Sequence, residues 1–70
     1  MREVRDPDGR LICKVDDKSG KVVCVVKKKE TISTKLSHGE SFYRDHCEWR
    51  TVVTYHTDRK EFNTRYYKLV

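Results

Sequence analysis

The residues able to do chemistry in this chain are three cysteines (Cys13, Cys24, Cys47), three histidines (His38, His46, His56) and sixteen lysines and arginines set against eleven carboxylates. A zinc site needs about four sulfur or nitrogen ligands, usually supplied as close pairs in sequence. Only His46 and Cys47 are close, and as neighbours on a strand they would point to opposite faces, so neither a metal site nor a cofactor is expected. A nucleophilic cysteine at Cys47 would need a histidine brought within hydrogen-bond reach by the fold. His46 and His56 as acid and base, with Arg50, Arg59 or Lys60 holding a phosphate, would describe a small metal-independent ribonuclease. No spacing demands that arrangement, and surface histidines without a catalytic part are the simpler reading. The expectation is a binding protein and not an enzyme.

Basic charge combined with aromatic residues is the more telling pattern. Single-stranded nucleic acid binds to small sheets through base stacking on aromatic faces and a positive groove that follows the phosphates. Lys27, Lys28, Lys29 and Lys35 are candidates for such a groove, joined by Arg50, Arg59, Lys60 and Arg65 from the second half. Tyr43, Tyr55, Tyr66 and Tyr67 are the stacking candidates for single-stranded DNA or RNA. Against this, a short chain needs most of its aromatics for its core, and a lysine run also protects a sheet edge from aggregation. The competing class is a protein-interaction module, a small inhibitor or adaptor of the kind encoded by phages and mobile elements. Val4, Ile12, Val23 and Val25 would then form one face of a homodimer or dock a larger partner.

These residues must be positioned by few elements. Seventy residues make one domain (1–70) near the lower size for a core without metal, disulfides or oligomerisation. Hydrophobic residues are 36% and charged residues 39%, so the core is small and the surface densely charged. No apolar run approaches the roughly 18 residues needed to span a bilayer, and MREVRDPDGR lacks the apolar region of a signal peptide. A soluble cytoplasmic protein without membrane partners is expected. The halves differ: residues 1–36 form a basic hairpin meander, whereas all seven aromatic residues fall in 37–70.

The stretch Leu11 to Val26 reads as two β-branched runs folded across Asp16-Asp17-Lys18-Ser19-Gly20, where Asp bonds ahead to its own backbone and Gly takes a positive φ. Pairing Asp16 with Lys21 sets Val15 opposite Val22, Cys13 opposite Cys24 and Leu11 opposite Val26. The two cysteines are read as small core residues, with a cross-strand bridge reserved for an oxidising setting. Asp6-Pro7-Asp8-Gly9 is a second turn, which would pair Asp6 with Arg10 and set Val4 opposite Ile12 on the face of Val23 and Val25. Lys21 to Leu36 contains no Gly, Pro, Asn or Asp. It is read as one long strand bent near Lys28 to Glu30, in preference to a reversal at Lys27 to Glu30.

Ser37 and Glu40 form either a turn or a capping box opening a short helix over Ser41 to Glu48. Trp49 to His56 is the clearest strand of the second half. The tail from Glu61 is either a strand returning on it or a helix capped by Thr57, and strand is favoured. The expected fold is mainly β, an antiparallel sheet of about five strands, curled or barrel-like, with at most one short helix; the alternative is α+β with a C-terminal helix. Its expected core is Leu11, Cys13, Val15, Val22, Cys24, Val26, Ile32, Trp49 and Val53.

Overall fold

The computed structural model describes residues 1–27 and 30–69, without the side chains of Val25, Val26, Lys27 and Glu30. Seven strands are formed by these residues: β1 (Arg2–Arg5), β2 (Leu11–Asp16), β3 (Lys21–Lys27), β4 (Glu30–Lys35), β5 (Ser41–His46), β6 (Trp49–His56) and β7 (Glu61–Lys68). They make two antiparallel sheets, β1-β2-β3-β4 and β5-β6-β7, which do not close into a barrel. Among the described residues there is no helix, and none long and apolar enough to cross a membrane. The fold is thus mainly β and antiparallel as expected, with two more strands and with two layers in place of one curled sheet.

Turn chemistry explains the first two hairpins. Asp16 O accepts Gly20 N–H at 2.9 Å and Asp16 Oδ1 accepts Lys18 N–H at 3.1 Å, an Asx turn of the kind that Asp favours. Val15 pairs with Val22 and Asp16 with Lys21. Asp6 organises the other turn: its N–H donates to Arg10 O at 3.0 Å, and its Oδ1 accepts Asp8 N–H at 3.0 Å and Arg10 N–H at 2.8 Å.

One bulge then changes which residues face the core. Arg5 pairs with Leu11 but Val4 pairs with Cys13, so Ile12 is an extra residue in β2. A bulge breaks the strict alternation of side chains. Ile12 and Cys13 are consequently both buried, at 2% exposure each, and Val4, opposite Cys13, is buried with them. Val4 and Ile12 therefore belong to the chain's own core and not to an outer apolar face; Val23 stays half-buried, and the side chain of Val25 lies outside the described residues. The carbonyl freed by the bulge is satisfied from the other sheet, where Arg44 Nη1 on β5 donates to Ile12 O at 3.0 Å.

The expected bent strand is two strands. Lys27 pairs with Glu30 and Cys24 with Ile32, so the chain reverses between Lys27 and Glu30. Folding back gives the outer edge of β3 a partner for its backbone donors and acceptors, which a bent strand would leave open. Even-numbered residues still share a face, Val22 with Thr34 and Cys24 with Ile32, yet Ile32 is 49% exposed because β4 is the sheet edge.

Ser37 and Glu40 form a turn without a helix. Ser37 N–H donates to Glu40 Oε1 at 2.7 Å and Glu40 N–H to Ser37 O at 3.0 Å, and the Ser37 N–H bond holds the Glu40 carboxyl below its ordinary range. The next residues enter β5 because β6 offers an open edge, to which Ser41 through His46 pair with Thr54 through Trp49. The tail is a strand, with Glu61 through Lys68 paired to His56 through Trp49.

Between the sheets lie Val4, Ile12, Cys13, Val15, Val22, Cys24 and Leu36 from the first half and Val53, Tyr55 and Phe62 from the second. Burying one such side chain is worth about 1.5–3 kcal/mol. Tyr55 and Phe62 stack with centroids 4.8 Å apart. Three residues of the expected core lie elsewhere: Leu11 and Ile32 are exposed, and Trp49 is half-buried at the strand end beside Lys68. Val26 is outside the described side chains. Cys13 and Cys24 are buried and free, and burial pushes the Cys13 thiol up to about 11.

Candidate nucleic-acid interface

The register of β5, β6 and β7 determines which side chains share the outer face of the second sheet. Tyr43 pairs with Val52 and Val52 with Arg65; Asp45 pairs with Arg50 and Arg50 with Tyr67; Ser41 pairs with Thr54 and Thr54 with Asn63. Directly opposed residues point the same way, and alternate residues along a strand share a face. This face therefore carries Tyr43, Arg50, Arg65 and Tyr67 within two adjoining rows. Tyr43 is 57% exposed and Tyr67 49% exposed.

Arg50 is the organising cation. Its Nε donates to Asp45 Oδ1 at 2.7 Å and its Nη2 to Asp45 Oδ2 at 3.1 Å, a forked arrangement that fixes the guanidinium plane. Its Cζ lies 4.6 Å from the centre of the Tyr43 ring, within cation–π range. The fork holds the Asp45 carboxyl below its ordinary range. Arg65 makes no ion pair among the described residues. Beside it, Ser41, Val52, Thr54, His56, Asn63, Arg65 and Tyr67 line a shallow depression of about 310 Å³.

A second concavity, about 410 Å³, lies at the end of the sandwich where three connections meet. Lys18 and Ser19 come from the β2–β3 turn, Lys35 from the end of β4, Leu36 to His38 from the β4–β5 connection, and Thr57 and Lys60 from the β6–β7 turn. Backbone and buried contacts lock these segments together. Leu36 N–H donates to Gly20 O at 2.8 Å, Tyr55 OH to Asp17 O at 2.8 Å, and Gly39 N–H to Tyr55 O at 2.8 Å. His38 Nδ1 accepts Thr57 N–H at 3.1 Å, and the His38 ring meets the His56 ring edge to face at 6.0 Å. His56 in turn contacts Asn63 at 3.0 Å. The lysine cleft and the outer-face depression are thereby joined through His38 and His56.

The predicted binding residues separate accordingly. Arg50, Arg65, Tyr43 and Tyr67 come together on the outer face, and Lys35 and Lys60 come together in the cleft. Tyr66 lies on the opposite face, its hydroxyl donating to Arg5 O. Tyr55 is core, at 3% exposure. Arg59 pairs with Glu61 at 3.6 Å. Lys28 and Lys29, and the side chain of Lys27, lie outside the described residues. Lys18, His38 and Asn63 are not among the binding residues expected from the sequence, and His56 is expected there only as an acid–base partner of His46. Strand alternation from Glu61 would have aligned Asn63 with Arg65 and Tyr67, whereas Lys18 and His38 enter only through the meeting of turns.

The histidine pair named from the sequence is not assembled. His46 ends β5 opposite Trp49, at the far end of β6 from His56, which puts the two about 24 Å apart at the strand rise of ~3.4 Å per residue. His38 and His56 are close, their rings meeting edge to face at 6.0 Å, with His38 Nδ1 accepting from Thr57 N–H and His56 Nε2 against Asn63. Cys47, with φ of 53°, sits in the β5–β6 turn and not on a strand, so its Sγ reaches His46 Nε2 at 3.3 Å despite their adjacency. Among the described residues no group of three or more His, Cys, Asp or Glu side chains could hold a metal ion. No protein-family model, curated protein or solved structure matches the chain.

Proposed function

We propose that this chain is a non-catalytic module that binds single-stranded DNA or RNA on the outer face of β5-β6-β7. The observation that carries this reading is the pair of exposed tyrosines, Tyr43 and Tyr67, sharing a face with Arg50 and Arg65. Aromatic rings on a sheet give bases a stacking surface, and neighbouring guanidinium groups meet the phosphates and stack as well. Arg50 is already held against the Tyr43 ring by Asp45, so little side-chain freedom is lost when a base docks there. The net charge of +5 adds long-range attraction for a polyanion.

The test is fluorescence anisotropy with short single-stranded DNA and RNA over a series of salt concentrations. Contacts to about four phosphates predict a log–log salt slope of about −3. Each lost stack costs about 1–3 kcal/mol, so Tyr43→Ala with Tyr67→Ala weakens binding by at least about twentyfold while leaving the melting curve nearly unchanged. Wild-type affinity in that double variant, or no binding at low salt by the parent, would remove the stacking surface as the basis of function.

A further inference from the structure

We infer that the cleft formed by Lys18, Lys35 and Lys60 is a site for a terminal phosphate monoester, the end group of the strand that lies on the outer face. This rests on the nucleic-acid reading only for the source of the phosphate; the chemistry of the cleft stands apart from it.

Lys18 from the β2–β3 turn, Lys35 from the end of β4 and Lys60 from the β6–β7 turn line one depression, and none of them makes an ion pair among the described residues. The hydroxyl residues Ser19, Ser37 and Thr57 line it with them. The nearby carboxylates are largely engaged: Asp16 with Lys18 N–H, Asp17 with Arg2, and Glu40 with Ser37 N–H. Asp58 lies 3.9 Å from His38 Nδ1. Like charges gathered in one concavity repel unless an anion joins them. A monoester offers about −1.5 to −2 charges and three strong acceptor oxygens, a better match for three lysines lining one depression than an internal diester with a single charge.

Two features make the cleft a built one. The closure of its floor requires a glycine: a Cβ at Gly20, where φ is +81°, would stand 2.7 Å from Leu36 O and 2.7 Å from Tyr55 Cε2. Lys60 adopts φ of 51°, a conformation costly for a side-chain-bearing residue, and residues held in sparsely populated conformations cluster at functional sites. Position also favours an end group. The cleft adjoins the depression containing Asn63, Arg65 and Tyr67 across the His38–His56 ring contact, so a strand stacked on the tyrosines has its end beside the lysines.

The test uses the full chain with four oligonucleotides of one sequence: 5′-phosphorylated, 3′-phosphorylated, unphosphorylated, and unphosphorylated but one nucleotide longer, with inorganic tripolyphosphate as a separate probe. One of the phosphorylated strands is expected to bind about tenfold tighter than both unphosphorylated strands, a difference of about 1.4 kcal/mol. Lys60→Gly removes the charge while relieving the positive φ, so it is expected to fold at least as well and to lose the preference. Lys18→Gln with Lys35→Gln loses it too, whereas Tyr43→Ala with Tyr67→Ala weakens all four strands alike. Strand binding with no preference for an end phosphate, or a preference that survives Lys60→Gly, overturns the cleft and leaves the stacking surface standing. Tripolyphosphate binding that Lys60→Gly abolishes, with no strand bound at all, upholds the cleft for free phosphate compounds and overturns the nucleic-acid reading.

Discussion

Replacing Gly20 by alanine tests the junction on which both the fold and the cleft depend. At this position φ is +81°, and the added methyl would meet Leu36 O at 2.7 Å and the Tyr55 ring at 2.7 and 2.9 Å. The backbone conformation alone costs an L-residue about 1–2 kcal/mol. Overpacking against neighbours that cannot withdraw adds about 1–3 kcal/mol. Neither neighbour is free to move: Leu36 N–H is bonded to Gly20 O itself, and the Tyr55 hydroxyl is tied to Asp17 O and Lys18 O. The expected total is about 3–4 kcal/mol, and at ~4–8 °C per kcal/mol for a domain of this size the melting temperature falls by about 20 °C. Gly9 supplies the control, because its φ is +88° but nothing lies within 4 Å of the corresponding Cβ. Gly9→Ala should cost only the conformational part, about 1–2 kcal/mol or roughly 10 °C. Urea and thermal melts followed by the fluorescence of Trp49, the single tryptophan, measure both variants. Equal losses would refute the close approach of the β2–β3 turn to Leu36 and Tyr55.

Further outcomes follow from particular contacts. Asp17 Oδ1 accepts Phe62 N–H at 2.9 Å while its carboxylate holds Arg2, and the bond to Arg2 lowers its pKa first of all. A carboxyl lowered in the folded state contributes stability that is present above about pH 4 and is lost as pH falls through the folded value; Asp17→Asn should therefore flatten the acid side of the stability profile and cost about 1–2 kcal/mol at neutral pH. The Cys13 thiol, raised from 9.0 to about 11 by burial, stays neutral in the fold while the unfolded chain ionises. Stability should consequently decline between about pH 9 and 11, and decline less in Cys13→Ala. With Cys13 and Cys24 buried and Cys47 exposed, an alkylating reagent at pH 8 should label one thiol per native chain and three in denaturant, by intact mass. Removing Arg44 leaves the Ile12 carbonyl of the bulge without that partner, so Arg44→Met should lose about 1–3 kcal/mol in urea melts.

Much of the architecture was legible in the chain itself, because it is local. The Asx and glycine chemistry of Asp6 to Gly9 and Asp16 to Gly20 specifies two tight reversals, and the continuous apolar run of Val22 to Val26 and the alternation of Trp49 to His56 specify strands. Those signals require only neighbours in sequence. They yielded a mainly β antiparallel domain, the Val15–Val22 register and the candidates Arg50, Arg65, Tyr43 and Tyr67. What tertiary structure alone decided is non-local. The bulge at Ile12, which turns Val4 and Ile12 inward, is supported by Arg44 reaching from another sheet. Whether a tyrosine is core or surface depends on what lies opposite it: Tyr55 meets the Asp17 turn and is buried, while Tyr67, alike in type, faces outward. The reversal after Lys27 carries no turn residue because the free edge of β3, and not local propensity, draws β4 back. The lysine cleft belongs to the same class, since Lys18, Lys35 and Lys60 are far apart along the chain and meet only because Gly20 lets three turns close against one another.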